Sequence, residues 1–275
     1  MQRRFTELLI LVFLTAACGR NVAPPQSATD TPVTGRITFA GSTTLQPLAH
    51  ELGEAFKERY PDVELDIAAG GSVVGIQAIH NGTVDIGMAS RTLKAEEAEG
   101  LTQHQISVDV IAVVVSESNP VEDLELEKLR GIYLGEIVNW SEVGGPDRPI
   151  VVVARGKNSG TRGAFDKIVL GKREPAASDL RTAVTAGDMA AIVADEPNAI
   201  GYVGFGNVEP SIKLLTIDGV LPSEETARNG QYPLVRPLLL LTGPLTQPLA
   251  RMFVDFALSD EGQRVVEESG WVRAR

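Results

Sequence analysis

From residue 36 onward the apolar positions change period along the chain, and the changes mark out elements. Arg36–Ala40 reads as a strand. Leu48, Leu52, Ala55, Phe56 and Tyr60 then recur at helical spacing, so a helix is expected from Leu45 to Tyr60, with Pro61 supporting its stop. Val63–Ile67 alternates as a strand. Val73–His80 is helical and closes on Asn81-Gly82, and Val84–Met88 is a short strand running into Ala89-Ser90-Arg91.

The second part of the chain keeps this alternation. Lys94–Gly100 is helical, and Val108–Ser116 is an unbroken β-branched run long enough to cross from one unit to another. Leu124–Leu134 is helical and Ile150–Ala154 is a strand, with a helix expected from about Gly163 to Leu170. Gly187–Ala194 is helical, while Ala199–Gly204, Leu214–Ile217 and Val235–Leu241 read as strands. A last helix is expected over Leu249–Glu268, with Met252, Phe253, Phe256, Ala257 and Val265 on one stripe.

Strands alternating with helices argue for parallel βαβ units, and no repeat suggests a solenoid or propeller. The expected architecture is α/β with two lobes, residues 36–110 and 236–275 forming the first and 111–235 the second. The runs Val108–Ser116 and Val235–Leu241 are the candidate connections. Ligands of such folds sit in the cleft outside the carboxyl ends of strands.

Ahead of this part, Arg3 and Arg4 precede an apolar run, Leu8–Ala17, that ends in small residues before Cys18. That describes a secretory signal peptide over residues 1–17, too short for a transmembrane span. Cys18 stands where a bacterial lipobox carries its lipidated cysteine, although Leu14 is one position further from it than usual. Residues 18–35, rich in Pro, Ser, Thr and Ala, read as a flexible tether. The chain is therefore expected outside the cytoplasm, anchored to the membrane through Cys18.

Composition narrows the chemistry. The 275 residues are 43% hydrophobic and 22% charged, as in an ordinary globular protein. A formal charge of −11 with 5% aromatics argues against nucleic acid as a partner. His50, His80 and His104 lack metal-ligand spacing, so no metal or cofactor is expected. The one cysteine excludes a disulfide within the chain. Gly70–Gly75 lacks the Lys and Ser/Thr of a phosphate loop, and Asn158-Ser159-Gly160 is not a nucleophile elbow, so an enzyme is not expected.

What remains is a recurring arrangement at helix starts. Ser42-Thr43-Thr44, Gly71-Ser72 and Ser159-Gly160-Thr161 each follow a strand and open a helix. Each supplies hydroxyls and unbonded backbone N–H groups, the makings of an anion seat, whereas one such stretch alone would be ordinary capping. Arg91 and Arg155 end strands that face the same cleft, and the planar fork of arginine suits an oxyanion. Micromolar affinity needs about 8 kcal/mol. Six to eight hydrogen bonds to a charged group, at roughly 1.5–3 kcal/mol each, would supply that and the cost of association.

In this order and spacing the motifs resemble the phosphate-binding proteins of bacterial phosphate ABC transporters, which have the type II periplasmic-binding-protein fold. The resemblance runs over roughly residues 36–275. It rests on Gly41–Leu48, Gly71-Ser72, Asp85–Arg91, Asn139–Gly145, Arg155 with Ser159–Arg162, and Ile200–Val203. It implies a monomer that captures inorganic phosphate between two lobes and delivers it to a membrane permease. Thr43, Thr44, Ser72, Arg91, Arg155, Ser159, Gly160 and Thr161 would hold the ligand, with Ser42 a contributor or only a cap. Larger members of that family carry an aspartate where Arg91 stands, to accept the proton of hydrogen phosphate. Arginine cannot accept one, so another oxyanion such as sulfate or molybdate stays open, and a secreted hydrolase is the remoter reading. Asp85 is expected to serve structure.

Overall fold

The amphipathic periods of residues 35–89 bury one face of each helix against a parallel sheet. Strand β1 (Gly35–Gly41) leads through α1 (Gln46–Arg59) to β2 (Val63–Ala69), and through α2 (Ser72–His80) to β3 (Ile86–Ala89). β1 pairs in parallel with both β2 and β3. A short helix, α3 (Ala95–Ala98), precedes β4 (Thr102–Ser116), and β5 (Asp123–Leu124) and α4 (Leu126–Tyr133) follow. The chain continues through β6 (Val151–Arg155), α5 (Gly160–Ile168), β7 (Leu180–Ala183), α6 (Ala186–Asp195) and β8 (Ala199–Gly204). It ends with β9 (Ile212–Leu214), β10 (Thr216–Ile217), α7 (Glu224–Arg228), β11 (Val235–Thr242), α8 (Pro248–Leu258), α9 (Asp260–Glu268) and β12 (Val272–Arg273).

This computed structural model describes residues 32–274 except 172, 178 and 179. The signal peptide, Cys18 and the tether up to residue 31 lie outside the described residues. Val33–Arg275 forms one compact unit. Among the described residues no helix is long and apolar enough to cross a membrane.

The principal strand order is β2-β1-β3-β11-β4-β8-β6-β7. β4 is the element shared by both lobes. Its first part pairs antiparallel with β11 up to Val110↔Val235, and its second part pairs antiparallel with β8 from Ile111↔Gly204. Two sets of core clusters follow that division. One gathers Ile37, Phe39, Phe56, Leu238 and Phe253, where Phe253 meets Phe39 and Phe56 edge-on at 5.0 and 5.3 Å. The other gathers Tyr133, Trp140, Phe165 and Tyr202, with the Phe165 and Tyr202 rings stacked at 4.0 Å.

The alternation is observed as expected, but several bounds moved for identifiable reasons. β4 starts at Thr102 rather than Val108, because Thr102–Gln105 is polar and owes its strand form to pairing with β11. The helix expected over Leu249–Glu268 is two helices. Ser259 between them is extended (φ −71°, ψ 165°), donates through Oγ to Phe256 O and accepts from Gly262 N–H, so it closes α8 and caps α9. Leu214–Ile217 is likewise split, β9 pairing with β4 and β10 with β5. Finally, α5 begins at Gly160 instead of about Gly163, with Ser159 as its cap. That three-residue difference puts two expected ligand residues in the first turn.

Candidate functional site

Three of the strand-to-helix turns converge where the two lobes meet. After β1, Ser42 N–H donates to Met88 O at 3.0 Å and Ser42 Oγ accepts from Leu45 N–H at 3.3 Å, shaping the turn that presents Thr43 and Thr44. After β2, Ser72 opens α2 and its Oγ accepts from Ser90 N–H at 3.0 Å. After β6, Ser159 Oγ accepts from Arg162 N–H, leaving the first-turn N–H groups of Gly160 and Thr161 without a carbonyl inside their own helix.

The lobes touch directly through these groups. Thr44 Oγ1 and Thr161 Oγ1 are 3.0 Å apart, and both side chains are buried. Arg155 Nη2 donates to Thr43 Oγ1 at 3.0 Å and to Val184 O at 3.0 Å. Val73 N–H donates to Asn158 O at 3.2 Å. Gly160 permits this approach: a Cβ there would overlap Ser72 Oγ and lie 2.5 Å from Ser90 Oγ.

Arg155 is the electrostatic centre. It is only 2% exposed, and its buried Nε has no hydrogen-bond partner. Burial pushes its guanidinium down to about 10, so it keeps its proton at neutral pH, and among the described residues no carboxylate forms an ion pair with it. Its orientation is fixed from behind. Arg155 N–H donates to Tyr202 Oη at 3.2 Å, and Arg162 Nη1 donates to Arg155 O at 3.0 Å while its Nε bonds Asp166 at 2.6 Å.

The structure brings together Ser42, Thr43, Thr44, Ser72, Arg155, Ser159, Gly160 and Thr161, but it does not bring Arg91 into that cluster. The Arg91 fork is committed to Glu97, Nη1 to Oε2 at 2.7 Å and Nη2 to Oε1 at 2.8 Å, with Nη1 also donating to Thr92 O. Its stem packs 3.0 Å from where a side chain on Gly163 of α5 would begin. We therefore revise its expected role from ligand donor to brace. Asp85 meets its structural expectation, accepting from Thr38 N–H and Oγ1 at 2.9 and 2.8 Å.

Glu97 also accepts from Lys94 N–H, and the bonds from Arg91 hold its carboxyl below the ordinary range against the opposing effect of burial. A depressed carboxyl contributes stability above its unfolded pKa, near 4.3, and loses it as pH falls through the folded value. Glu97→Gln should therefore flatten the acid limb of stability. Thermal unfolding followed between about pH 2 and 5 checks this: the wild-type midpoint should fall further than that of the variant.

Two residues at this meeting point were missed from the sequence. Arg236 on β11 pairs with Asp109 on β4, Nε and Nη2 reaching Oδ2 at 2.8 and 2.6 Å, and the side chains are 1% and 0% exposed. Arg236 Nη1 donates to Ser90 O at 3.2 Å, and Nη2 lies 3.4 Å from Thr44 Oγ1. Burial raises the Asp109 carboxyl and Arg236 pulls it back. The signal was present: each is the only charge in an otherwise apolar strand run, Val108–Ser116 and Val235–Leu241. A lone charge in a buried strand needs a partner.

Residues 26–261 match the family described as PBP superfamily domain. The phosphate-binding protein PstS of Bacillus subtilis is 34% identical over 279 residues, covering 96% of this chain and 92% of that one. The phosphate-binding protein PstS of Borreliella burgdorferi is 29% identical over 86% of this chain and 89% of its own. Among solved structures, a substrate-binding protein from Clostridium perfringens, ascribed to a phosphate ABC transporter and solved with bound phosphate, is similar at 37% identity. Its TM-score is 0.85, with 88% of this chain and 100% of that one covered. An ABC-type phosphate transport receptor from Vibrio cholerae follows at 31% identity and TM-score 0.72, covering 87% and 100%.

Proposed function

The chain belongs to the PBP superfamily and, within it, to the phosphate-binding proteins PstS, and from that premise we propose that it captures inorganic phosphate outside the cytoplasm and delivers it to the membrane permease of an ABC transporter for import. One observation carries the reading. Of the buried arginines Arg91, Arg155, Arg162 and Arg236, Arg155 alone lacks a carboxylate partner among the described residues, and it donates to the Thr43 hydroxyl of the other lobe. A buried cation ringed by donors is stabilised by a tetrahedral oxyanion, which restores charge balance and fills the donors at once.

In this reading Thr43, Thr44, Ser72, Arg155, Ser159, Gly160 and Thr161 hold the ligand, and Ser42 caps the turn. Residues 36–110 and 236–275 form one lobe and 111–235 the other, with the crossing strands as hinge. Because each lobe supplies part of the donor set, the anion binds the closed arrangement better than an open one and shifts the population toward it. The chain works as a monomer that binds and hands over, without catalysing a reaction. Cys18 ties it to the membrane by a lipid, and the residues between Cys18 and the start of the compact unit at Val33 let it reach the permease.

A second reading, another tetrahedral oxyanion such as sulfate or molybdate, draws on one feature. Asp109, the buried carboxylate beside the donors, has Oδ2 taken by Arg236 and Oδ1 by Phe205 N–H, so it is not free to accept a ligand proton. Titration calorimetry of the mature protein with phosphate, sulfate and molybdate separates the readings. Phosphate is expected to bind with micromolar or tighter affinity, about 8 kcal/mol or more. Binding of another oxyanion with none of phosphate would overturn the assignment. Turnover of a chromogenic phosphoester would overturn the non-enzymatic part.

A further inference from the structure

We propose that Arg236 is a positioning residue of the anion site: set by Asp109, it turns the hydroxyls of Thr44 and Ser90 into donors that face the cleft. The proposal rests on the oxyanion reading of this cleft. A hydroxyl has one proton and two lone pairs, and a fixed N–H donor behind it fills a lone pair and leaves the proton to point forward. This arrangement recurs around the site. Ser72 Oγ accepts from Ser90 N–H, Ser159 Oγ from Arg162 N–H, and Thr43 Oγ1 from Arg155 Nη2. Arg236 does the same for the remaining pair, Nη2 to Thr44 Oγ1 and Nη1 to Ser90 Oγ, both at 3.4 Å.

Those contacts are long, so the hold on Arg236 decides whether they are kept. Asp109 stands directly across the β4–β11 ladder from Arg236 and grips Nε and Nη2 with one oxygen. Its other oxygen accepts from Phe205 N–H at 3.0 Å, at the end of β8 in the second lobe. Gly204 gives the pair its room: a Cβ there would lie 2.7 Å from Asp109 Oδ2 and from Thr44 Cγ2, and 2.9 Å from Arg236 Nη2. The pair is net neutral, so its contribution is orientation rather than added charge. It also sits where β4 changes partner from β11 to β8, so the hydroxyls are set by the same point about which the lobes would move.

A double-mutant cycle read by calorimetry with inorganic phosphate tests this. Arg236→Met with Asp109→Asn removes the pair without leaving a buried charge, a replacement that buried ion pairs tolerate. In the wild-type background it should weaken phosphate binding by about tenfold or more, while in a Thr44→Val, Ser90→Ala background it should cost at most about twofold further. Arg236→Lys alone, which keeps a cation and a donor, should bind more tightly than the Met/Asn variant. Equal losses in both backgrounds, or no loss in the first, would overturn the proposal. If the wild-type chain binds sulfate and not phosphate, the phosphate reading fails. The same cycle run with inorganic sulfate then decides the role of Arg236 by the same criterion.

Discussion

Arg155→Ala should weaken phosphate binding by about two to four decades, the loss expected when one partner of a buried charge pair is truncated, at roughly 3–5 kcal/mol. Among the described residues Arg155 is the one buried arginine without a carboxylate partner, and it donates across the cleft to Thr43. Neighbouring residues hold Arg155 by its backbone: Tyr202 Oη takes its N–H and Arg162 meets its carbonyl oxygen. Truncation beyond Cβ leaves both bonds in place, so the fold should survive. The ligand-free protein should be no less stable than wild type, because the change removes a desolvated cation whose pKa burial has already lowered to about 10. Calorimetry with phosphate and thermal unfolding without it check the two halves. Retained wild-type affinity would move the site away from Arg155.

Gly160→Ala is expected to act on closure instead of chemistry. In the first turn of α5 the backbone of Gly160 is compatible with alanine, and alanine has the better helix propensity, so the fold loses nothing locally. The added Cβ would nonetheless overlap Ser72 Oγ and crowd Ser90 Oγ, and Ser72 Cβ is only 3.0 Å away. Ser72 cannot turn aside freely, because its Oγ accepts from Ser90 N–H. Overpacking of this kind costs about 1–3 kcal/mol, here charged only to the closed arrangement, so affinity should fall by about tenfold to a hundredfold. Small-angle scattering with and without phosphate should show the variant closing less completely than wild type, with an unchanged thermal midpoint in the absence of ligand. Wild-type affinity in the variant would mean that the lobes do not need this contact to hold the anion.

The paired tests also separate two kinds of site residue. In the proposed reading Arg155 supplies charge that the ligand completes, whereas Gly160 supplies only absence, a place where two lobes meet because no side chain stands between them. Thr44 and Thr161 combine the two functions, being donors that also touch across the cleft at 3.0 Å.

How much of this was legible beforehand follows from the range of the forces involved. Helix and strand periods are local, and the sequence by itself determined the alternation of elements and the lobed α/β class. It also determined that hydroxyls and glycines cluster at strand-to-helix turns, because capping chemistry is written within a few residues. Bounds failed where a partner strand or a single cap overrode local pattern, as at Thr102–Gln105 and at Ser259. Arg91 and Arg236 mark the limit most clearly. From the sequence Arg91 closed a family motif and was an expected ligand residue, and Arg236 was one charge in a strand. Which of them faces the donors depended on where Glu97 and Asp109 lie in space, 6 and 127 residues away along the chain. An arginine goes to the carboxylate it can reach, and reach between distant segments is fixed by packing. The sequence by itself determined that hydroxyls, glycines and arginines gather at these turns; only the tertiary structure decided which buried arginine is held by a carboxylate and which is left for the proposed anion, because side-chain reach is set by packing.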